Sequence, residues 1–150
     1  MIEAQDRLYA CFASRKWAQL VAADWPYTDL DSLLAAAERA WSQLEPPDWA
    51  EALEGHPRIG ERGGSSPAAS EREQSGVRRA AASTVDQLAA ENRLYEARFG
   101  HVFLIAAAGK SADEILAALR ERMENDPVTE AQVAAAEHRK IARLRLAELQ

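Results

Sequence analysis

Residues 28–47 read TDLDSLLAAAERAWSQLEPP, and this stretch sets the class of fold. Leu30, Leu33, Leu34, Ala37, Trp41 and Leu44 recur at steps of three and four residues, the period that lines one face of an α-helix. Thr28 and Asp29 precede them as candidate N-caps, with side-chain oxygens able to accept from the unpaired N–H groups of a first turn. Pro46 and Pro47 stop the pattern and can open the next helix, because proline lacks an N–H that a first turn leaves unpaired anyway.

The same period continues on both sides. Upstream, Leu8, Cys11 and Phe12 share a face, and a second short helix from Ser14 carries Trp17, Leu20 and Val21 until Pro26. Downstream, a helix through Trp49, Ala52 and Leu53 closes at Gly55. Ser70 to Glu73 and Ser111 to Glu114 read as capping boxes, in which cap and third residue satisfy each other's backbone N–H. Thr84 to Gln87 can cap a helix carrying Leu88, Asn92, Tyr95 and Phe99, stopped at Gly100. The Ser111 box leads into Ile115, Leu116, Leu119 and Met123, and Asn125 to Pro127 break that helix. Thr129 to Gln132 is expected to cap the last helix, with Val133, Ile141, Leu144 and Leu149 apolar. Phe103 to Ala108, between Gly100 and Gly109, is too short for a helix and is expected to be extended and buried. From Gly55 to Ser70 the composition turns to Gly, Pro, Ser and charge, a surface loop. The expectation is an all-α fold: a single-domain bundle of about seven or eight helices over residues 1–150, with one short extended segment.

Composition narrows the function. With 150 residues, 47% of them apolar, the chain can bury a core of its own. A net charge of −6 with no Lys/Arg stripe argues against nucleic acid. Cys11 is the only cysteine, so neither an internal disulfide nor a thiolate metal cluster is expected. Glu3, Asp6 and Arg7 interrupt the N-terminal apolar residues, and no long apolar run occurs elsewhere, so neither signal peptide nor membrane span is expected. The last residues are no Ser-Lys-Leu address, and a cytoplasmic location is expected.

His56 lies on no periodic face: it follows the helix stop at Gly55, precedes Pro57 and leads into the Gly-rich loop. A stiff turn of this kind can hold an imidazole at a cleft, and an ordinary pKa of about 6.5 suits proton transfer, although an exposed turn histidine has the same signature. Glu73 and Ser70 are fully explained as a capping box, yet a helix start also binds anions, and Gln74 adds an amide that can orient a carbonyl or urea. His56, His101 and His138 have no zinc-site spacing, so no metal site is expected. His101 reads as a loop residue and His138 as a solvated one. Nucleophile-elbow and phosphate-loop templates find no match. Trp17, Trp25, Trp41 and Trp49 read as core and helix-contact residues.

Taken as an ordered set, His56-Pro57-Arg58-Ile59-Gly60, then Ser70 with Glu73-Gln74, then Asn92, Tyr95, Phe99-Gly100 and Phe103, resemble the 2-oxo-4-hydroxy-4-carboxy-5-ureidoimidazoline (OHCU) decarboxylases of urate breakdown. Arg122-x-x-Asn125-Asp126, Glu130 and the Ile141-x-x-Leu144 pattern extend the resemblance over most of the chain. It implies an all-α homodimer that converts OHCU to (S)-allantoin and CO2 without metal or organic cofactor. It implies His56 and Glu73 as the catalytic pair, and Pro57, Ser70, Gln74 and the backbone of Phe103, Leu104, Ile105, Ala106 and Ala107 as substrate-binding. Arg122 is implied as the substrate-binding arginine, with Arg120 the other candidate. Some members carry a peroxisomal address or a fused hydroxyisourate hydrolase; neither is expected here. The rival reading is a non-catalytic helical interaction module or an inactive relative, in which the caps are only caps.

Overall fold

The computed structural model describes residues 2–56 and 82–149. Seven helices fall within them: α1 (Ile2–Cys11), α2 (Arg15–Ala22), α3 (Leu30–Trp41), α4 (Pro46–Glu54), α5 (Ala82–Phe99), α6 (Ala112–Arg122) and α7 (Pro127–Ala147). No strand occurs among the described residues, in agreement with the all-α expectation. None of these helices is long and apolar enough to cross a membrane.

The helix starts follow their capping chemistry. Ser14 Oγ accepts from the Trp17 N–H at 3.2 Å, and Asp29, of the two candidates, accepts from Ser32 at 2.8 Å. Pro46 and Pro47 occupy the first turn of α4, where Asp48 accepts from the Glu45 N–H at 2.9 Å. The Ser111–Glu114 box is formed in both directions, at 3.1 and 2.9 Å. Two starts differ from expectation. α5 already runs from Ala82, placing Thr84 inside it. α7 starts at Pro127, because Asp126 accepts from both Thr129 N (2.8 Å) and Thr129 Oγ1 (3.1 Å) and so takes the capping role expected of Thr129.

The chain divides into two compact units. The first holds residues 1–56 and 140–150, the second residues 57–139, so α7 contributes to each. In the first unit Leu8, Phe12, Trp17, Val21, Leu33, Ala37, Trp41, Ala142 and Leu146 form one buried cluster. Phe12 is its centre, with ring centroids 5.3 Å from Trp17, 5.7 Å from Trp41 and 5.2 Å from Trp49. Trp17 stacks on Trp41 and donates its indole N–H to Ala37 O at 3.3 Å. The tryptophans thus serve the core, as their spacing implies.

In the second unit α5 and α6 bury Leu88, Tyr95, Ile115, Leu116 and Leu119 around the run Phe103–Ala107, of which Phe103, Leu104, Ile105 and Ala107 are buried and none is helical. Two glycines bracket this run in the left-handed region, Gly100 at φ 81° and Gly109 at φ 79°. Gly100 ends α5 by donating its N–H to Glu96 O at 2.8 Å.

Leu33→Ala removes a side chain with no exposed surface and is expected to cost about 2–5 kcal/mol, read as a lower urea midpoint at unchanged slope. Gly100→Ala meets no neighbouring atom and pays only for its positive φ, an expected loss of about 1 kcal/mol in the same assay.

Candidate functional site

In the first unit lies the candidate residue His56. Gly55 closes α4 with its N–H on Ala52 O and Leu53 O, and the His56 N–H bonds to Leu53 O at 3.1 Å, so the imidazole is carried on a turn fixed by the helix end. The residue is half-buried. Burial first, and the positive charge of Arg145 second, push its pKa down to about 3. At neutral pH His56 is therefore a neutral imidazole.

Apolar periodicity in the sequence does not single out Arg145. It belongs to the same unit, is buried, and donates from Nη1 to Ala10 O at 3.4 Å. Its charge also acts on Cys11, whose thiol is nonetheless pushed up to about 11 by burial and stays protonated, an inert core residue. A usable signal did exist. On α7 the residues Glu130, Ala134, His138, Ile141 and Arg145 follow one another at steps of three and four, and all are buried. His138, expected to be solvated, is 1% exposed because it stands on this stripe.

The second unit holds Phe103–Ala107 and Arg122. Arg122 is buried and donates to Glu130 Oε2 from Nε (2.9 Å) and Nη2 (2.5 Å), and to the Leu104 carbonyl from Nη1 (2.8 Å). Its guanidinium carbon lies 4.5 Å from the Phe103 ring centroid. Glu130, with no exposed surface, also receives the Tyr95 hydroxyl on Oε2 and Asn125 Nδ2 on Oε1 at 3.0 Å. Burial opposes the Glu130 charge, but the hydrogen bonds from Arg122, Tyr95 and Asn125 outweigh it and hold the carboxyl below its ordinary pKa. Burial and the bond to Glu130 push the Tyr95 phenol up. The motif Arg122-x-x-Asn125-Asp126 with Glu130 thereby resolves into one ion-pair network and one helix cap. Arg120, the other candidate cation, is exposed and forms a two-bond pair with Glu91 at 2.8 and 2.7 Å.

The structure thus brings Arg122 to Leu104 and leaves His56 within the field of the Arg145 charge. Pro57, Ser70, Glu73 and Gln74 lie outside the described residues. Among the described residues no group of three His, Cys, Asp or Glu side chains could hold a metal ion.

Comparison with known proteins gives a consistent result. The family model for OHCU decarboxylase matches residues 2–147. The uric acid degradation bifunctional protein TTL of Arabidopsis thaliana is 35% identical over 97% of this chain and 47% of its own length. The 2-oxo-4-hydroxy-4-carboxy-5-ureidoimidazoline decarboxylase of Halalkalicoccus jeotgali is 28% identical over 91% of this chain and 76% of its own. The chain spans less than half the length of these bifunctional relatives, 47% of the Arabidopsis protein and 30% of the PucL protein of Bacillus subtilis. A crystal structure of OHCU decarboxylase in the presence of (S)-allantoin is 34% identical, covers 96% of both chains and superposes with a TM-score of 0.84.

The depressed His56 pKa has a sign that can be checked. The folded protein takes this proton only near pH 3, whereas an unfolded chain takes it near its ordinary 6.5. The stability this site contributes is therefore complete above about pH 6.5 and is lost as pH falls towards the folded value. In an NMR titration the His56 ring is expected to stay neutral from pH 8 to about 4, and Arg145→Gln to raise its pKa. Ordinary titration near 6.5 in the wild-type protein would contradict this.

Proposed function

This chain belongs to the OHCU decarboxylase family, and from that premise we propose that it converts OHCU to (S)-allantoin and CO2 in urate breakdown. The observation that carries the proposal is likeness over full length to a decarboxylase crystallised with (S)-allantoin, 96% of each chain at 34% identity. The neutral imidazole of His56 supplies the group the reaction needs.

OHCU carries its carboxylate on a carbon that also bears a hydroxyl and adjoins a conjugated imine. When CO2 leaves, the electron pair of the broken C–C bond passes into the ring, so the substrate is its own electron sink. The protein must hold the ring, relieve the hydroxyl of its proton and return a proton to one face of a ring carbon. His56, uncharged at rest, is assigned to accept the hydroxyl proton. An anionic substrate beside Arg145 offsets the cation's field and raises the His56 pKa, bringing the base into a useful range only when substrate is bound. Glu73 is the proposed second proton carrier. Pro57, Ser70, Gln74 and the main chain of Phe103, Leu104, Ile105, Ala106 and Ala107 are proposed to hold the ring and ureido group, whose amide edges match theirs.

The substrate-binding cation is assigned to Arg145 in preference to Arg122. Arg122 already has its charge compensated by Glu130, whereas the charge of Arg145 reaches His56. We further propose that the chain works as one domain of this family, as a homodimer, and in the cytoplasm.

Freshly generated OHCU given to the purified protein is expected to yield a single enantiomer, followed by optical rotation; the racemic product of spontaneous decay would mean a binding module or an inactive relative. His56→Ala is expected to lower the enzymatic rate about 10²- to 10⁴-fold while the circular dichroism stays that of the native fold. Glu73→Gln keeps size and removes the base. It is expected to slow turnover by a similar factor, and wild-type rates would reduce Glu73 to a helix cap.

A further inference from the structure

Arg122 and Glu137 grip the same short stretch of main chain. Arg122 Nη1 holds the Leu104 carbonyl at 2.8 Å, and Glu137 Oε1 accepts the Ala106 N–H at 3.0 Å. The two held groups lie two residues apart. In an extended chain the N–H and C=O of one residue point to one side and those of its neighbours to the other. Arg122 and Glu137 thus occupy the side shared by Leu104 and Ala106. The opposite side belongs to Phe103 and Ile105, 1% and 6% exposed. Among the described residues, no partner accepts from or donates to the main-chain groups of these two. Buried peptide groups rarely go unpaired, so this is the edge left for a ligand.

The cation that holds Leu104 is itself held. Two of its nitrogens are fixed on Glu130 Oε2, the Tyr95 hydroxyl fixes the same oxygen, and Asn125 fixes the other. Phe103 packs under the guanidinium. A side chain so tied has one rotamer open to it, and through it the Leu104 carbonyl has one position.

We propose that Arg122, Glu130 and Tyr95 are positioning residues that act as a single buried network: they fix the Leu104 carbonyl and thereby aim the Phe103–Ile105 peptide edge at the substrate without touching it. The proposal rests on the decarboxylase reading above for the identity of that substrate. It adds to that reading a division of labour along the segment, with Leu104 and Ala106 bound to the protein and Phe103 and Ile105 left for the ring.

The test compares wild type, Arg122→Lys, Tyr95→Phe and the double variant by three readouts: amide hydrogen exchange across residues 103–107, steady-state kinetics with OHCU, and thermal unfolding. Lysine keeps the charge but cannot bond Glu130 and Leu104 together. Arg122→Lys is expected to speed exchange at Ile105 and Ala106 and to lower kcat/KM on the order of tenfold to a hundredfold. The loss should appear in KM more than in kcat, whereas simple loss of folded protein would lower kcat and leave KM. Tyr95→Phe should do the same more weakly, and the double variant should fall short of the product of the two, as expected within one network.

Full multiplication of the two effects, or lost activity with unchanged exchange at Ile105, would overturn the proposal in favour of direct substrate contact by Arg122. If Arg122→Lys fails to fold, Tyr95→Phe alone decides: wild-type exchange together with wild-type KM would overturn it. A wild-type protein that yields racemic allantoin would remove the decarboxylase reading instead, and the exchange data would still report on the network.

Discussion

The ion pair between Arg122 and Glu130 is the interaction on which the second unit depends. Both side chains are out of water, 9% and 0% exposed, a placement that is costly unless every charge finds partners. Here they do: both Glu130 oxygens are occupied, and Arg122 adds the Leu104 carbonyl. Removing one partner from such a pair typically costs about 3–5 kcal/mol, because the other charge stays buried. The pair links α5 through Tyr95, the α6 end through Arg122, the α7 start through Glu130, and the non-helical run through Leu104. Among the described residues that run has no ladder to pair with, so side chains do for it what a neighbouring strand would otherwise do.

The first unit works through apolar contact. Phe12 and its three tryptophans set the helices, and the end of α4 carries His56 as a direct consequence of the Gly55 stop. The chemistry of His56 follows from its surroundings: desolvation and a nearby guanidinium both oppose the imidazolium, so the resting side chain is uncharged. On the proposed reading, an anionic substrate changes that balance and ties proton affinity to occupancy.

The sequence made the helices legible wherever apolar residues kept a step of three or four and a short polar residue stood before them, as at Ser14, Asp29 and Ser111. It made His56 legible by its departure from every apolar face. Its weakest point was α7, where Glu130, His138 and Arg145 take inward positions that a hydrophobic pattern would give to aliphatic residues. Apolar periodicity assigns such residues to solvent, which is why His138 reads as solvated and Arg145 gives no signal. The partner of Arg122 was hidden differently, because only geometry shows that Glu130 compensates its charge. The expectations for Pro57, Ser70, Glu73 and Gln74 rest on their motif.

The most direct test of this account is an amide NMR titration of the isotope-labelled protein with (S)-allantoin. The account predicts saturable binding in which the Ile105 amide moves most within residues 103–107, while the Ala106 amide, already bonded to Glu137, moves little. Saturable binding that leaves the Ile105 amide unmoved would contradict it.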